Sequence, residues 1–402
     1  MSITNFAHYG SMPLLCLLLS ACGGGSSSDN PNQEPGTAVP TAPVLSAQAA
    51  LGEKIFKDVS LSVSSQQSCA TCHDPAHAHA GSDGRAVPLG GATMTTPGFR
   101  NAPSLNYLSF TPAFFFDSEG TPTGGFDRDG RANSLAEQAR RPFLAPHEMA
   151  NVTPANVIAK LRNTAYVTEF MQVFGSDIFD RGEAAFDRAV LALQAYEKED
   201  TEFRPFDSKF DYFLVGKAKL TDQELRGYAL FNSPTKGNCA GCHPSDRLAD
   251  GTPPLFTDFT YDNLGVPRNY DIPATADPAY FDLGLCGPDR TDLVATHPDL
   301  CGAFKVPSLR NVAITGPYFH NGKFATLREV VSFYVRRDTN PEEWYPGNGS
   351  DKFNDLPPQY RGNVNTTEVP YNRHLGDQPA LTSDEIDDVV SFLNTLTDGY
   401  QP

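Results

Sequence analysis

Residues 69–73 read Cys-Ala-Thr-Cys-His and residues 239–243 read Cys-Ala-Gly-Cys-His, and the reading of these two pentapeptides decides the fold. In each, two thiols three positions apart can add to the two vinyl groups of a porphyrin. The histidine that follows then meets the iron from the proximal side. Zinc also accepts cysteine and histidine and is the chemical alternative. A pattern repeated at identical internal spacing in a chain with an export signal fits covalent haem c better. The expectation is two haem c groups, one on Cys69, Cys72 and His73 and one on Cys239, Cys242 and His243.

The flanking sequence repeats as well. SAQAALGEKIF precedes the first motif and LTDQELRGYALF the second, the latter opening on Thr221 with Glu224 three positions later, a capping-box signature. GEAAFDRAVLALQAYEKEDTEF follows the first motif, and LTSDEIDDVVSFLNTLTD, with Thr382 and Glu385 in the same relation, follows the second. Helix, haem motif, long loop and helix, twice over, is the order of a c-type cytochrome domain. Strand signals are sparse, and 33 Gly with 33 Pro among 402 residues imply long irregular loops. The fold is therefore expected to be mainly α. Two c-type cytochrome domains, each with a haem, are expected over residues 44–205 and 206–402, with the boundary near FRPFDSKFDYF.

The amino-terminal segment is of another kind. Residues 1–22 contain a short apolar run, LLCLLLSA, too short to span a bilayer, and read as an export signal. Leu19-Ser20-Ala21-Cys22 resembles a lipobox, which would place a lipid on Cys22; a chance cysteine in a Leu-rich signal is the alternative. Residues 23–43 are small, polar and Pro-containing and read as a disordered tether. The expected location is the periplasm or cell surface, anchored by lipid, with Gly23 favouring the outer membrane. A net charge of −17 argues against nucleic acid and against anionic lipid headgroups as partners.

Five longer stretches carry a resemblance: CHDP (Cys72–Pro75), RNAPSL (Arg100–Leu105), DGRANSLAEQARRPFLAPHEM (Asp129–Met149), FKVPSLRN (Phe304–Asn311) and TGPYFHNG (Thr315–Gly322). From about Ala47 to Thr397 the chain resembles the bacterial di-haem cytochrome c peroxidase and MauG superfamily. The resemblance implies a reactive haem in the first domain and an electron-handling haem in the second. It makes His73 and His243 the proximal ligands and lines the distal pocket of the first haem with Gln138 and Glu148. Glu148 could pass a proton between the two oxygens of hydrogen peroxide, and Gln138 could orient peroxide or a water. Read without the resemblance, LAEQA is a surface helix and Glu148 a cap.

The resemblance also places the second haem's sixth ligand eight positions after the Thr of the T-L pair, which lands on Tyr334. Peroxidases proper carry methionine there and MauG carries tyrosine. Within ATLREVVSFYVRRD (Ala325–Asp338) the bare helical pattern makes Tyr334 one more core aromatic. As a phenolate ligand it would favour oxidised iron. The resemblance further implies a calcium ion on Asn101 Oδ1 and the carbonyls of Thr315 and Pro317, where an ordinary turn is the alternative. Cys286 and Cys301 share one loop, and a disulfide there suits an oxidising compartment, closing a loop for about 3 kcal/mol.

The chain departs from the family where a tryptophan commonly lies between the haems. Arg128 stands there, with Tyr107, Phe126 or Tyr318 as candidate substitutes for charge sharing. Peroxidases of the family that need reductive activation carry a histidine on a mobile loop after the first haem motif; His77 and His79 lie on that segment but close to His73 and read as loop residues. The leading functional expectation is a MauG-like oxidase, which uses peroxide to reach high-valent haem iron and oxidises a Trp or Tyr side chain on a partner protein. The alternative is a peroxidase that reduces peroxide with electrons from a small cytochrome or cupredoxin. A plain electron carrier is disfavoured by Gln138 and Glu148.

Overall fold

Among the described residues there are ten α-helices, and two packed helix pairs frame the haem motifs. The computed structural model describes residues 44–402. The expected signal (1–22), the Cys22 lipid site and the tether (23–43) lie outside the described residues. In chain order the helices are α1 (Ala47–Lys57), α2 (Cys69–Cys72), α3 (Leu135–Leu144), α4 (Pro154–Leu161), α5 (Val167–Phe174), α6 (Ala184–Glu199), α7 (Lys209–Leu214), α8 (Asp222–Asn232), α9 (Leu327–Arg336) and α10 (Ser383–Asn394). Among the described residues β structure is limited to three two-stranded antiparallel pairs, each strand two residues long, and a few isolated bridges. The fold is mainly α, as expected, and none of its described helices is long and apolar enough to cross a membrane.

Each half closes on one helix crossing, and the two crossings are built alike. Gly52 of α1 lies against α6 so tightly that a Cβ there would stand 2.0 Å from the Ala192 carbonyl oxygen. Gly227 of α8 lies against α10, where a Cβ would stand 1.9 Å from the Asp388 oxygen. Four residues after each glycine an aromatic, Phe56 or Phe231, is 1% exposed. Glycine lets the backbones meet and the phenylalanine one turn on fills the gap behind. One apolar core runs from Leu51 to Phe203 around α1, α3 and α6; another runs from Phe210 to Leu396 around α8, α9 and α10.

The two caps seen in sequence form: Thr221 and Glu224 close α8, and Thr382 and Glu385 close α10, each reciprocally. A third box, Thr326 with Glu329, closes α9. Residues 244–326 contain no α-helix, so their backbone groups need other partners. Buried side chains supply them. Arg268 donates to the carbonyls of Thr275 (3.1 Å) and Asp277 (2.9 Å), and Arg310 to that of Pro254 (2.7 Å) while pairing with Asp211. Cys286 and Cys301 are joined as a disulfide with Cα atoms 5.0 Å apart.

The contacts between the halves include buried ionic ones. Arg100, from the RNAPSL stretch, holds Asp282 in a fork at 2.6 and 2.8 Å and Asp129 at 2.7 Å. Tyr107 donates to Asp398 at 2.8 Å beneath the Arg310 guanidinium, 4.8 Å from its ring centre. Paired and fully hydrogen-bonded charges of this kind fix a unique arrangement at a desolvation cost.

Candidate functional site

The first motif forms the single turn α2, tied by the Ser68 amide donating to Thr71 Oγ1 at 2.9 Å. That turn points His73 inward, its amide donating to the Cys69 carbonyl at 2.9 Å. His73 Nδ1 lies 3.0 Å from the His79 carbonyl and 3.1 Å from that of Pro103. Two acceptors require the hydrogen on Nδ1, which leaves Nε2 as a free lone pair for a metal. Burial pushes the His73 imidazole down to about 4, so it is neutral and ready to ligate.

The second motif repeats the device. A 3₁₀ turn over Cys239–Gly241 leads to His243, whose amide donates to the Cys239 carbonyl at 2.8 Å and whose Nδ1 lies 2.8 Å from the Phe256 carbonyl. Burial lowers this imidazole too. The four motif thiols are free, and burial raises each of them, Cys69 to about 12 and Cys72 to about 11. Zinc needs thiolates in a convergent set. Among the described residues no group of three His, Cys, Asp or Glu side chains converges to hold a metal ion. The donor set therefore suits thioether attachment of a porphyrin and not a zinc cluster.

Space for the group is present in the second half. A cavity of about 590 Å³ is lined by Cys239, Cys242, His243, Val331, Tyr334 and Leu393. Tyr334 comes from α9, whose other faces are spoken for: Leu327, Val331 and Val335 enter one core and Phe333 another. Its ring packs 5.9 Å from those of Phe319 and Tyr371. The hydroxyl makes no hydrogen bond with any described residue, and it shares the cavity with His243. Burial, with Asp262 adding to it, holds the phenol far above its ordinary range; Arg337 opposes this. Only a cation at the oxygen would make it a phenolate.

Around the first motif the signature is one of unpaired polar atoms. Gln67 Oε1, Glu148 Oε2 and Glu197 Oε2 are buried without a hydrogen-bond partner among the described residues, a costly state unless something else fills the space. Glu148 is pushed up to about 7, by burial first and by the Asp127 charge second, with Arg131 pulling the other way. Gln138, on α3, donates to Asp127 Oδ1 at 3.3 Å, and Arg131 donates to Asp127 Oδ2 at 3.0 Å. Asp127 thus ties Gln138 to the residues that tune Glu148. Neither Asp127 nor Arg131 stood out in sequence. Arg131 is the arginine of DGR and Asp127 lies just before it, but nothing there marks which charge faces which.

His79 was also underread. It is 1% exposed, stacks on Phe203 at 4.1 Å, faces Asn106 Oδ1 at 2.8 Å and lies 3.3 Å from Glu202, while its carbonyl orients His73. It is a positioning residue at left-handed φ (54°), a conformation no helical or strand period reveals. His77 pairs locally with Asp74, and His147 packs edge-on against Phe99. Of the aromatics named for charge sharing, Tyr107 sits in the seam, Phe126 is 5% exposed near Lys305, and Tyr318 lines the second cavity.

Asn101, the one side chain of the expected calcium set, is already engaged by a guanidinium. Asn101 Oδ1 accepts from Arg128 Nη2 at 2.8 Å, and the Asn101 carbonyl accepts from Arg128 Nε at 3.1 Å. A divalent ion on that oxygen would stand about 4–5 Å from a guanidinium, a repulsion of about 7 kcal/mol at an effective dielectric constant near 20. The carbonyls of Thr315 and Pro317 offer no charge to offset it. These residues do not fit a calcium ion.

Two covalent-haem motifs, each with a neutral and oriented histidine, on a duplicated helical frame define a di-haem c-type protein. Comparison with known proteins narrows this. Residues 46–219 match the family described as di-haem cytochrome c peroxidase. The chain is 41% identical over 382 residues to the methylamine utilization protein MauG of Paracoccus denitrificans, covering 91% of this chain and 93% of that one. It is 33% identical to the cytochrome c551 peroxidase of Nitrosomonas europaea, over 88% of this chain and 80% of that one. Among solved structures, the diheme peroxidase BthA of Burkholderia thailandensis superposes with a TM-score of 0.82 at 41% identity, covering 91% and 89% of the two chains. The protein belongs to the di-haem cytochrome c peroxidase/MauG family and is a di-haem oxidoreductase.

Proposed function

We propose that this chain is a MauG-like enzyme that takes oxidising equivalents from hydrogen peroxide and uses them to oxidise an aromatic side chain, Trp or Tyr, of a partner protein. The observation that carries the reading is Tyr334, an unbonded phenol in the cavity of His243 where a peroxidase would offer methionine. In this reading Cys69 and Cys72 hold one haem c and Cys239 and Cys242 the other, with His73, His243 and Tyr334 facing the irons. When bound, the haem irons receive the oxidising equivalents of peroxide and draw electrons from the substrate.

The chain's own residues do the rest. Glu148, with its carboxyl near 7, takes the proton from the inner oxygen of peroxide and returns it to the outer one, so that the leaving group departs as water. Gln138, fixed through Asp127, holds the peroxide in line. Tyr334, in the cavity of His243, would face the second haem and, as an anion, would favour oxidised iron. Export and a lipid on Cys22, facing the periplasm or cell surface, belong to the same proposal and are supported by the sequence alone.

The second reading is a cytochrome c peroxidase supplied with electrons by a small cytochrome or cupredoxin; the similarity to a named cytochrome c551 peroxidase favours it. Peroxide added to the fully ferric protein separates the two. The MauG-like reading expects a spectral change without prior reduction. It fails if the ferric protein is inert and only a half-reduced form reacts.

A further inference from the structure

Arg128 occupies a place that the reading of the site leaves without a role. Its side chain starts in the first half, on the loop before Asp129, and its guanidinium grips both oxygens of Asn101, at 2.8 and 3.1 Å. The same side chain lines the cavity that holds His243 and Tyr334. Its own carbonyl accepts from the Lys305 amide of the second half at 2.9 Å, and Lys305 Nζ donates to the Gly125 carbonyl. Arg128 is therefore stitched to both halves at the seam and borders the second haem pocket.

Among the described residues no carboxylate pairs with this guanidinium. Asp282, whose charge acts on it, is held by Arg100. Burial, with Arg100 adding to it, pushes Arg128 down to about 10, so it stays charged at neutral pH while repelled by its neighbour. A buried cation with only neutral oxygen partners is costly, and it persists where its charge is used. The chemistry of its partners, an amide oxygen and a main-chain carbonyl, is that of a hard cation site filled by a side chain.

We propose that the Arg128 guanidinium serves as a built-in cation between the two haem pockets, taking the place of a calcium ion, so that the protein needs no calcium and Arg128 raises the potential of the haem held by His243. A fixed positive charge beside that pocket favours the reduced iron, and it does so without a dissociable ion. The proposal uses only the presence of two haems and stands or falls apart from the choice between oxidase and peroxidase.

The test uses the purified di-haem protein. Calcium is measured by elemental mass spectrometry after exposure to calcium and gel filtration, and the ferric spectrum is recorded before and after EGTA. Both haems are then titrated potentiometrically in wild type, Arg128→Gln and Arg128→Lys. The expected result is far less than one calcium per chain, a spectrum unmoved by EGTA, and a second-haem potential that falls in Arg128→Gln and is largely kept in Arg128→Lys. A stoichiometric calcium whose removal changes the spectrum would overturn the proposal, as would an Arg128→Gln protein with an unchanged potential. Should Arg128→Gln fail to accumulate, the chelator series and Arg128→Lys still decide.

Discussion

The carboxyl of Glu148 gives the most quantitative prediction. With its midpoint at about 7, the ionised fraction is about 0.97 at pH 8.5 and about 0.03 at pH 5.5, so base-assisted reaction with peroxide should slow about 30-fold across that range. The direction follows from the role, since only the ionised carboxylate can accept the peroxide proton and acid removes it. A carboxyl at its ordinary value would stay about 90% ionised at pH 5.5, and the profile would be nearly flat. The assay is stopped-flow absorbance of the ferric protein mixed with peroxide, taken from pH 5.5 to 8.5. Glu148→Gln should abolish the acid limb and lower the rate at pH 8.5 by about 10²–10⁴-fold. Asp127→Asn removes the second cause of the upward shift and should move the limb to lower pH. A flat wild-type profile, or a Glu148→Gln protein that keeps the limb, would refute the reasoning.

Other perturbations probe other parts. Gly227→Ala puts a methyl 1.9 Å from the Asp388 oxygen, and Gly52→Ala one 2.0 Å from that of Ala192; each should cost at least about 2–3 kcal/mol, read as a fall in Tm of the holoprotein, whereas an unchanged Tm would show that the crossings relax. Tyr334→Met should raise the potential of the His243 haem, because a neutral thioether replaces an anionic oxygen; an unchanged potentiometric titration removes Tyr334 as a ligand. Cys22→Ser should shift the protein from the membrane fraction to the soluble exported fraction. Cell fractionation with immunoblotting checks this, and equal distribution of both forms would dismiss the lipid anchor.

What could be read in the sequence follows from the range of the interactions involved. The haem motifs, the helices that flank them and the caps at Thr221 and Thr382 are local patterns, complete within a few residues, and all are present. Tyr334 could be placed on a buried helix face, but the face alone does not separate core from ligand. The roles of Asp127, Arg131 and His79 were not legible because they lie in irregular loops where no period shows which side chains meet. Arg128 shows the limit most clearly. Its unusual position was visible, yet its grip on Asn101, 27 residues away, is a fact of folding. That contact removes the calcium set which the resemblance implied.

The central claim is that Tyr334 is an anionic ligand of the second haem. Resonance Raman spectroscopy of the ferric protein, excited in the phenolate-to-iron charge-transfer region, tests it most directly. The account predicts phenolate modes in the wild-type protein that vanish in Tyr334→Phe; their absence from the wild type, or spectra that do not differ between the two, would contradict it.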